Sequence, residues 1–489
     1  MFGWFRPRCP LDLREKVWIE YWTRWLIDQL GVDRIRKAPV ILPTQEFFPD
    51  PFEPTSAAIE SVYRRVCGYL GIDPSRVPLQ FHDANEYPDA LGYYIDGDPP
   101  TVSVSNAVFD DKETLIAVMS HELAHEVLLG GKLLTSEHPE HEPMTDLVVV
   151  LLGLGVFPAN TAVKDRTVVA GRVSWYWISS QHYLPGRMFG YALAIASWIR
   201  NDESPGWLWA LQPDAAYGLK AGLKFLQKTG DCLFDRDKLS GLVSVPDDRQ
   251  VLCDLSSESD TKVLAALWDL ADRPALKEMA AEDLARCLDH RHPHVRSTAI
   301  DLLAATEGLP ESLVPPLLAC LNDSSSEVRR AAASAISRKM IPGDRVCDNG
   351  FTVLDNLAKL LQEDEARTNI TAAAALGLYG PAARPMAEGR LLDLFARGLT
   401  RVDSNTGIFT GRRDRVGESR SLLHPPLPDA PQTYLDALEA MNVDIEQAAI
   451  DRYSRSNPGR LELIQSELLR YWDASRREER ARKKAKKGR

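Results

Sequence analysis

The chain has 489 residues, enough for two or three domains, with 44% hydrophobic and 26% charged residues. This composition is typical of a globular protein that folds in water. No apolar run reaches the ~18 residues of a membrane-spanning helix, and we expect no secretory signal at the start. The seven cysteines are scattered without a C-x-x-C pair. They therefore predict reduced thiols in a cytoplasmic protein and argue against a cysteine metal site.

The formal net charge of −11 is unevenly distributed along the chain. The segment Arg476–Arg489 is strongly basic, so the remainder is more acidic than the total indicates. An acidic body argues against nucleic-acid binding by the folded part. The basic tail is interpreted as a solvated helical end, with contact to nucleic acid or an anionic surface as the alternative.

The first part of the chain alternates predicted helices and short strands. Helices are predicted over residues 11–30, with tryptophans packed in the core, and over Ala57–Leu70, closed by Gly71. Short strands are predicted at Val40–Leu42, Leu79–Phe81, Leu91–Ile95 and Thr101–Ser105. We therefore expect a small sheet that precedes the most informative helix of the chain.

That helix carries the motif H-E-x-x-H, with His121, Glu122 and His125. Asp110 and Asp111 supply capping side chains before it, an apolar face recurs at helical spacing, and Gly130–Gly131 ends the run where a C-cap glycine belongs. Residues four apart lie on one helical face, so both imidazoles can bind one ion while the glutamate takes a proton from its water. The alternative is that both histidines are ordinary helix-surface residues.

A third ligand is available at Glu142, with sixteen residues between it and His125. A second helix is predicted to begin near Glu142, with Pro143 in its first turn, and to be buried because Leu147–Phe157 is almost wholly apolar. Glu142 and Asp146 face the same way on it. Asp146 would then accept a hydrogen bond from a ligand histidine. Other possible third ligands lie in the preceding loop, where direction is less well defined than on a helix: His138, Glu140 and His141.

With H-E-x-x-H on one helix and E-x-x-x-D on the next, the chain resembles the thermolysin-like zinc peptidases, the gluzincins. The resemblance implies Zn²⁺ ligation by His121, His125 and Glu142, general-base catalysis by Glu122 and support from Asp146. It implies an α+β zincin-like domain over residues 1–205, acting on a protein or peptide. The family prefers an uncharged residue where this chain has Glu126. The G-x-M-E-N segment of the aminopeptidases is missing, which favours an endopeptidase.

After this second helix, strands are predicted over Val168–Ile178 with a turn at Gly171, and a helix over Pro185–Ile199. His182 and Tyr183 lie between them. Gluzincins often use a downstream Tyr or His to stabilise the oxyanion, so both residues are candidates. The alternative is a packed aromatic corner. Residues 206–259 are predicted to be a connector, with a helix over Trp207–Leu226 and a polar boundary over Asp231–Ser259.

The C-terminal part resembles HEAT-type helix-pair repeats over residues 260–400. Val295 and Val328, each followed by arginine, are 33 residues apart, and Ile370–Leu378 lies in a looser third copy. An unrelated helical bundle is the alternative. A linker near 402–432 and terminal helices are predicted within 401–489. The combined interpretation is a cytoplasmic zinc metallo-endopeptidase with an all-α repeat domain that can bind a protein partner. The second hypothesis is a scaffold that does not catalyse.

Overall fold

The computed structural model describes residues 7–86, 90–161, 163–170, 173–180, 183–239, 246–403, 430–466 and 468–469. The chain divides into two compact units. The first contains the residues up to Asp247 together with Glu258–Ala265. The second contains Asp248–Ser257 and the described residues from Ala266 onward. The basic tail Arg476–Arg489, residue 182 and most of the predicted linker lie outside the described residues.

The first unit combines helices with a small sheet. Its helices are α1 (Leu13–Leu30), α2 (Val32–Lys37), α3 (Ser56–Leu70), α4 (Lys112–His125), α5 (His141–Leu151), α6 (Val156–Thr161), α7 (Gly186–Ile199) and α8 (Pro213–Thr229). Its strands are β1 (Leu79–His82), β2 (Gly92–Ile95), β3 (Thr101–Ser105), β4 (Val163–Ala170) and β5 (Val173–Ser180). This confirms the expected small sheet ahead of the motif helix.

The three-stranded sheet has the order β1–β3–β2. The central strand β3 pairs with β1 in parallel and with β2 in antiparallel orientation. Strands β4 and β5 form a separate antiparallel pair. Helix α4 packs against both β2 and β3, so the sheet covers one side of the helix that carries the H-E-x-x-H motif.

Local signals account for where the central helices begin. Asp12 caps α1 in a reciprocal pair with Glu15. Asp111 caps α4 by accepting a hydrogen bond from the backbone N–H of Thr114 at 3.1 Å. The caps satisfy backbone donors that a helix start leaves without partners. Helix α3 ends at Gly71 in the left-handed conformation, as predicted.

Two predicted elements of the first unit are wrong. Residues 40–42 form no strand, because Pro39 and Pro43 on either side lack the N–H groups that a ladder needs. The long helix predicted from near Glu142 through Phe157 is two helices, α5 and α6. They are separated by a turn in which Gly153 has φ 98° and lies so close to Pro39 that a Cβ would overlap it.

The end of the motif helix also differs from the prediction. A glycine C-cap was expected at Gly130–Gly131, but a π-helical turn runs over Glu126–Gly130 directly after α4. The left-handed residue is Lys132, with φ 56°. The glycines allow close packing instead: a Cβ on Gly131 would overlap the backbone oxygen of Val127, and a Cβ on Gly130 would displace the Glu126 carboxylate. Single π-helical turns of this kind are often found at functional sites.

The second unit and its boundary are helical. Helix α9 (Asp248–Asp254) lies within the segment predicted to be irregular, and α10 (Asp260–Ala271) follows it. The other helices are α11 (Pro274–Met279), α12 (Ala281–Cys287), α13 (Pro293–Ala304), α14 (Val314–Ala319), α15 (Ser326–Arg338), α16 (Val353–Leu360), α17 (Ala366–Leu378), α18 (Arg384–Asp403), α19 (Ala430–Ala440) and α20 (Ile445–Tyr453). Residues 458–466 are also helical.

The helices of the second unit stack in pairs. Helix α13 packs on α15, α15 on α17, and α17 on α19, so the second helix of each pair contacts that of the next. Two arginines at equivalent positions link successive pairs: Arg296 binds Asp323 with two contacts of 2.8 and 2.7 Å, and Arg329 binds Glu363 with two of 2.8 and 2.6 Å. This regular stacking supports the predicted repeats.

Candidate metal centre

The two motif histidines lie in the buried last turns of α4. Since α4 is continuous to His125, the four-residue spacing places both imidazoles on one face, with their ring centroids 5.0 Å apart. Both residues are buried, with exposed fractions of 9% for His121 and 6% for His125. The structure therefore places both histidines on one face of α4, as expected from their spacing.

Glu142 reaches both imidazoles from the first turn of α5. Its Oε2 lies 3.2 Å from His121 Nε2 and 3.6 Å from His125 Nε2. One ligand atom from each of the three residues falls within 4.8 Å of the others. Among the residues that the structure describes, this is the one His, Cys, Asp or Glu group with the spacing of a metal centre.

Asp146 contacts the His121 ring nitrogen that faces away from Glu142, which is the contact expected from the sequence. Its Oδ1 is 2.9 Å from His121 Nδ1, and its Oδ2 accepts the backbone N–H groups of Tyr183 at 2.8 Å and Leu184 at 3.1 Å. Asp146 is fully buried. A carboxylate that only accepts hydrogen bonds keeps the proton on His121 Nδ1, so Nε2 is directed toward Glu142.

Thr145 contacts Nδ1 of His125, as Asp146 contacts Nδ1 of His121. This role for Thr145 was not predicted from the sequence. Its hydroxyl donates to the backbone carbonyl of His141 at 2.7 Å, and its oxygen lies 3.3 Å from His125 Nδ1. The oxygen can therefore accept the Nδ1 proton, which again directs Nε2 toward Glu142. The available signal was its position directly before Asp146, one turn after Glu142.

The electrostatic field of the cluster favours a cation. Burial opposes charge on His121, but hydrogen bonds to Asp146 and Glu142 outweigh it and raise the pKa of the imidazole well above its usual value. Burial likewise opposes charge on Glu142, but hydrogen bonds from His121, His125 and His141 outweigh it and hold the pKa of that carboxyl well below its usual range. The same field would stabilise a divalent ion.

Glu122 is buried beside the ligand group, next to the edge strand β2. A Cβ on Gly92 would lie 2.9 Å from both Cγ and Oε1 of Glu122, and 2.5 Å from Val118 Cγ1. Only glycine leaves room for the glutamate side chain at this contact. Gly92 is a second residue that the sequence reasoning missed, because a glycine in a short strand gives no sign of what faces it.

The three other possible third ligands contact residues outside the cluster or lie at its edge. Glu140 is buried and accepts the indole N–H of Trp18 at 3.0 Å. The ring of His138 packs edge-on against Trp22. His141 is closer, with its Nε2 3.4 Å from the Oε1 of Glu142. It thus contacts the carboxylate oxygen that faces away from the other two histidines.

Tyr183, one of the two oxyanion candidates, lies beside the cluster. Its ring stacks on His121 with centroids 6.0 Å apart and an angle of 17° between the planes. Its backbone N–H binds Asp146, as described above. The other candidate, His182, lies outside the described residues.

Residues 249–337 match the family model of HEAT repeats. The match covers α9 to α15, so this part of the chain consists of HEAT-like helical repeats, which commonly mediate protein interactions. No curated protein matches the chain. In the described residues, no helix is both long and apolar enough to cross a membrane.

Proposed function

We propose that the first unit is a zinc-dependent hydrolase with a zincin-like fold, most consistent with a metallo-endopeptidase. The observation that carries this proposal is the convergence of His121, His125 and Glu142 around one point. They come from two helices, and each histidine has a separate partner on its other ring nitrogen. A buried group of three ligands, oriented in this way, is typical of a catalytic zinc site.

The spacing of the Glu142 oxygen from the two imidazole nitrogens fits zinc. Ligands at about 2.0–2.1 Å from a tetrahedral ion lie about 3.3 Å from each other. The distances of 3.2 and 3.6 Å from Glu142 to the two histidines agree with this value. Nitrogen and carboxylate donors without cysteine also suit zinc. Three protein ligands leave the fourth position for water.

When bound, zinc would lower the pKa of a water molecule and polarise the substrate carbonyl. Glu122 would take the proton from the attacking water and later pass it to the leaving amine. The buried position of Glu122, closed on one side by Gly92, restricts the directions in which its carboxylate can point. Asp146 and Thr145 would keep both imidazoles in the tautomer that binds with Nε2.

A peptide substrate is favoured by the sheet beside the centre. Among the described strands, β2 lies at the edge of its sheet and packs on α4. An extended peptide can pair with such an edge through backbone hydrogen bonds. The HEAT-like repeats of the second unit would then bind a protein substrate or regulator. All seven cysteines are free, which suits the proposed cytoplasmic location.

The test is cleavage of a mixed peptide pool and measurement of bound zinc. Glu122→Gln should slow hydrolysis by ~10²- to 10⁴-fold with zinc retained, because the amide keeps the shape but accepts no proton. His121→Ala, His125→Ala and Glu142→Ala should each lose zinc. Full zinc occupancy in all three alanine variants would refute the proposed centre.

Two controls match these variants. Glu113→Gln changes a glutamate in the first turn of α4, and should leave the rate unchanged. His82→Ala removes a buried histidine that contacts Ser103 in the sheet, and should leave zinc bound. The alternative function is a scaffold whose centre holds zinc without catalysis. Zinc binding with no effect of Glu122→Gln on any measured property would favour the scaffold.

A further inference from the structure

Strand β2 runs along α4 in matching register. Gly92 faces Glu122, and Tyr94, two strand residues later, contacts Glu126, four helix residues later. Two strand residues advance ~6.8 Å and four helix residues ~6 Å, so the two elements stay in step. Tyr93 points to the opposite side of the sheet and packs on His82. The inner face of β2 therefore contacts the motif helix at two successive points.

Tyr94 makes two contacts at the second point. Its hydroxyl donates to Glu126 Oε2 at 2.7 Å. Its ring stacks on the His125 imidazole, with centroids 6.0 Å apart and an angle of 28° between the planes. One side chain thus connects the edge strand both to a proposed zinc ligand and to the residue that follows it.

The Glu126 carboxylate lies over the π-helical turn that begins with Glu126. Its Oε2 occupies space beside Gly130 that a Cβ on that residue would take. The same Oε2 accepts the hydroxyl of Tyr94. The glycine therefore leaves room for Glu126, the charged residue that departs from the gluzincin pattern, to bind Tyr94.

The two proposed histidine ligands are supported unequally on their Nδ1 side. His121 faces the Asp146 carboxylate at 2.9 Å, whereas His125 faces only the Thr145 hydroxyl at 3.3 Å. Hydrogen bonds to a charged acceptor are shorter and about twice as strong as neutral ones. The orientation of His125 consequently depends more on the ring that packs on its face.

We propose that Tyr94 is a positioning residue. With Glu126 as its anchor, it fastens the edge strand β2 to α4 and holds the His125 imidazole in the orientation that binds metal. This inference rests on the proposed zinc centre and adds to it a residue outside the ligand set. It also implies that the distance between the strand edge and the metal is set by the pair Tyr94–Glu126.

The test measures zinc affinity by competition with a chelator, using the full chain. Tyr94→Phe keeps the ring but loses the hydroxyl, and should weaken zinc binding roughly tenfold. Tyr94→Leu also loses the stacked ring and should weaken it further, toward ~100-fold. Glu126→Ala should lower zinc affinity by the same factor as Tyr94→Phe. The double variant Tyr94→Phe/Glu126→Ala should bind zinc no more weakly than either single variant, because both changes remove the same contact.

The matched control is Tyr63→Phe. The Tyr63 hydroxyl donates to the Val77 carbonyl at 2.6 Å in the same unit, so its loss also removes a buried hydrogen bond. It should lower the unfolding midpoint and leave zinc affinity unchanged. If the Tyr94 variants lower the midpoint but bind zinc as tightly as the wild type, Tyr94 is merely structural and the proposal is overturned.

Hydrogen exchange separates this proposal from the proposed function. The backbone amides of Gly92–Ile95 should exchange about tenfold faster in Tyr94→Phe than in the wild type, with or without zinc, and should be unaffected by Tyr63→Phe. If the wild type binds no zinc, the proposed function fails, and faster exchange still supports the anchor of β2 on α4. Unchanged exchange in Tyr94→Phe would overturn the anchor.

Discussion

Asp146→Asn should weaken zinc binding while the first unit stays folded. Asp146 accepts three hydrogen bonds and is fully buried. Asparagine has one acceptor oxygen and one donor amide in place of the two carboxylate oxygens. If its oxygen faces His121, its NH₂ group meets the backbone N–H groups of Tyr183 and Leu184. If it turns over, the NH₂ group meets the proton on His121 Nδ1.

The expected magnitude follows from these contacts. A buried hydrogen bond to a charged group contributes about 1.5–3 kcal/mol. At least one of the three contacts is lost in either orientation of the asparagine, so the free energy of unfolding should fall by about 2–3 kcal/mol. Because His121 is then less firmly oriented, zinc affinity should fall by ~10- to 100-fold.

Chelator competition gives the zinc affinity, and denaturant unfolding monitored by tryptophan fluorescence gives the stability. The control is Asp214→Asn, since Asp214 pairs with Arg187 on the surface with both side chains about half exposed. That change should cost no more than ~0.5 kcal/mol and leave zinc bound. An Asp146→Asn variant that binds zinc as tightly as the wild type would refute the proposed support of His121.

Three further predictions concern pH, packing and the repeats. In the metal-free protein, the raised pKa of His121 increases the free energy of unfolding at pH values below 6.5, the pKa of the residue in the unfolded chain. This stabilisation is lost as pH rises through the pKa of His121 in the folded protein. The lowered pKa of Glu142 increases the free energy of unfolding at pH values above 4.5, the pKa of the residue in the unfolded chain. This stabilisation is lost as pH falls through the pKa of Glu142 in the folded protein. Gly92→Ala should cost ~1–3 kcal/mol by overpacking and also slow hydrolysis. Arg296→Ala should destabilise the second unit by ~2–3 kcal/mol, because Asp323 loses both contacts.

These predictions have matched controls. Urea unfolding at stepped pH should show the two transitions in the wild type and lose the upper one in His121→Ala. Gly68→Ala meets no atom within 4 Å and should not destabilise. Arg384→Ala removes a surface ion pair with Glu388 in the same helix and a 3.3 Å contact with the Asn442 carbonyl, and should cost under ~1 kcal/mol. Equal losses for Arg296→Ala and Arg384→Ala would contradict the role given to the link between repeats.

The sequence alone determined the features that depend on local periodicity. Helical spacing places His121 and His125 on one face of the first helix, and Glu142 and Asp146 on one face of the second. This placement does not depend on the rest of the chain. The copies around Val295 and Val328 predicted stacked helix pairs for the same reason, since each pair needs a neighbour to bury its apolar face. These inferences require only contacts within a few turns or between successive repeats.

Some predictions based on local sequence were wrong because tertiary contacts decide them. The π-helical turn after His125 moved the left-handed residue to Lys132, and the close approach of Gly153 to Pro39 divided the helix after Leu151. Gly130 does not form the expected cap, and its missing side chain leaves space that the Glu126 carboxylate occupies. The sequence pattern predicted a role for Gly130 but none for Gly153, and the atom that each glycine accommodates lies on another turn or another segment.

Only the tertiary structure joined the residues of the centre and selected their partners. Glu142 meets the two histidines because α5 packs on α4. Thr145 on His125, Tyr94 on Glu126, and Trp18 on Glu140 are contacts between segments up to 122 residues apart. Such pairs leave no periodic pattern in a single sequence, because their spacing is set by how whole helices and strands pack against each other.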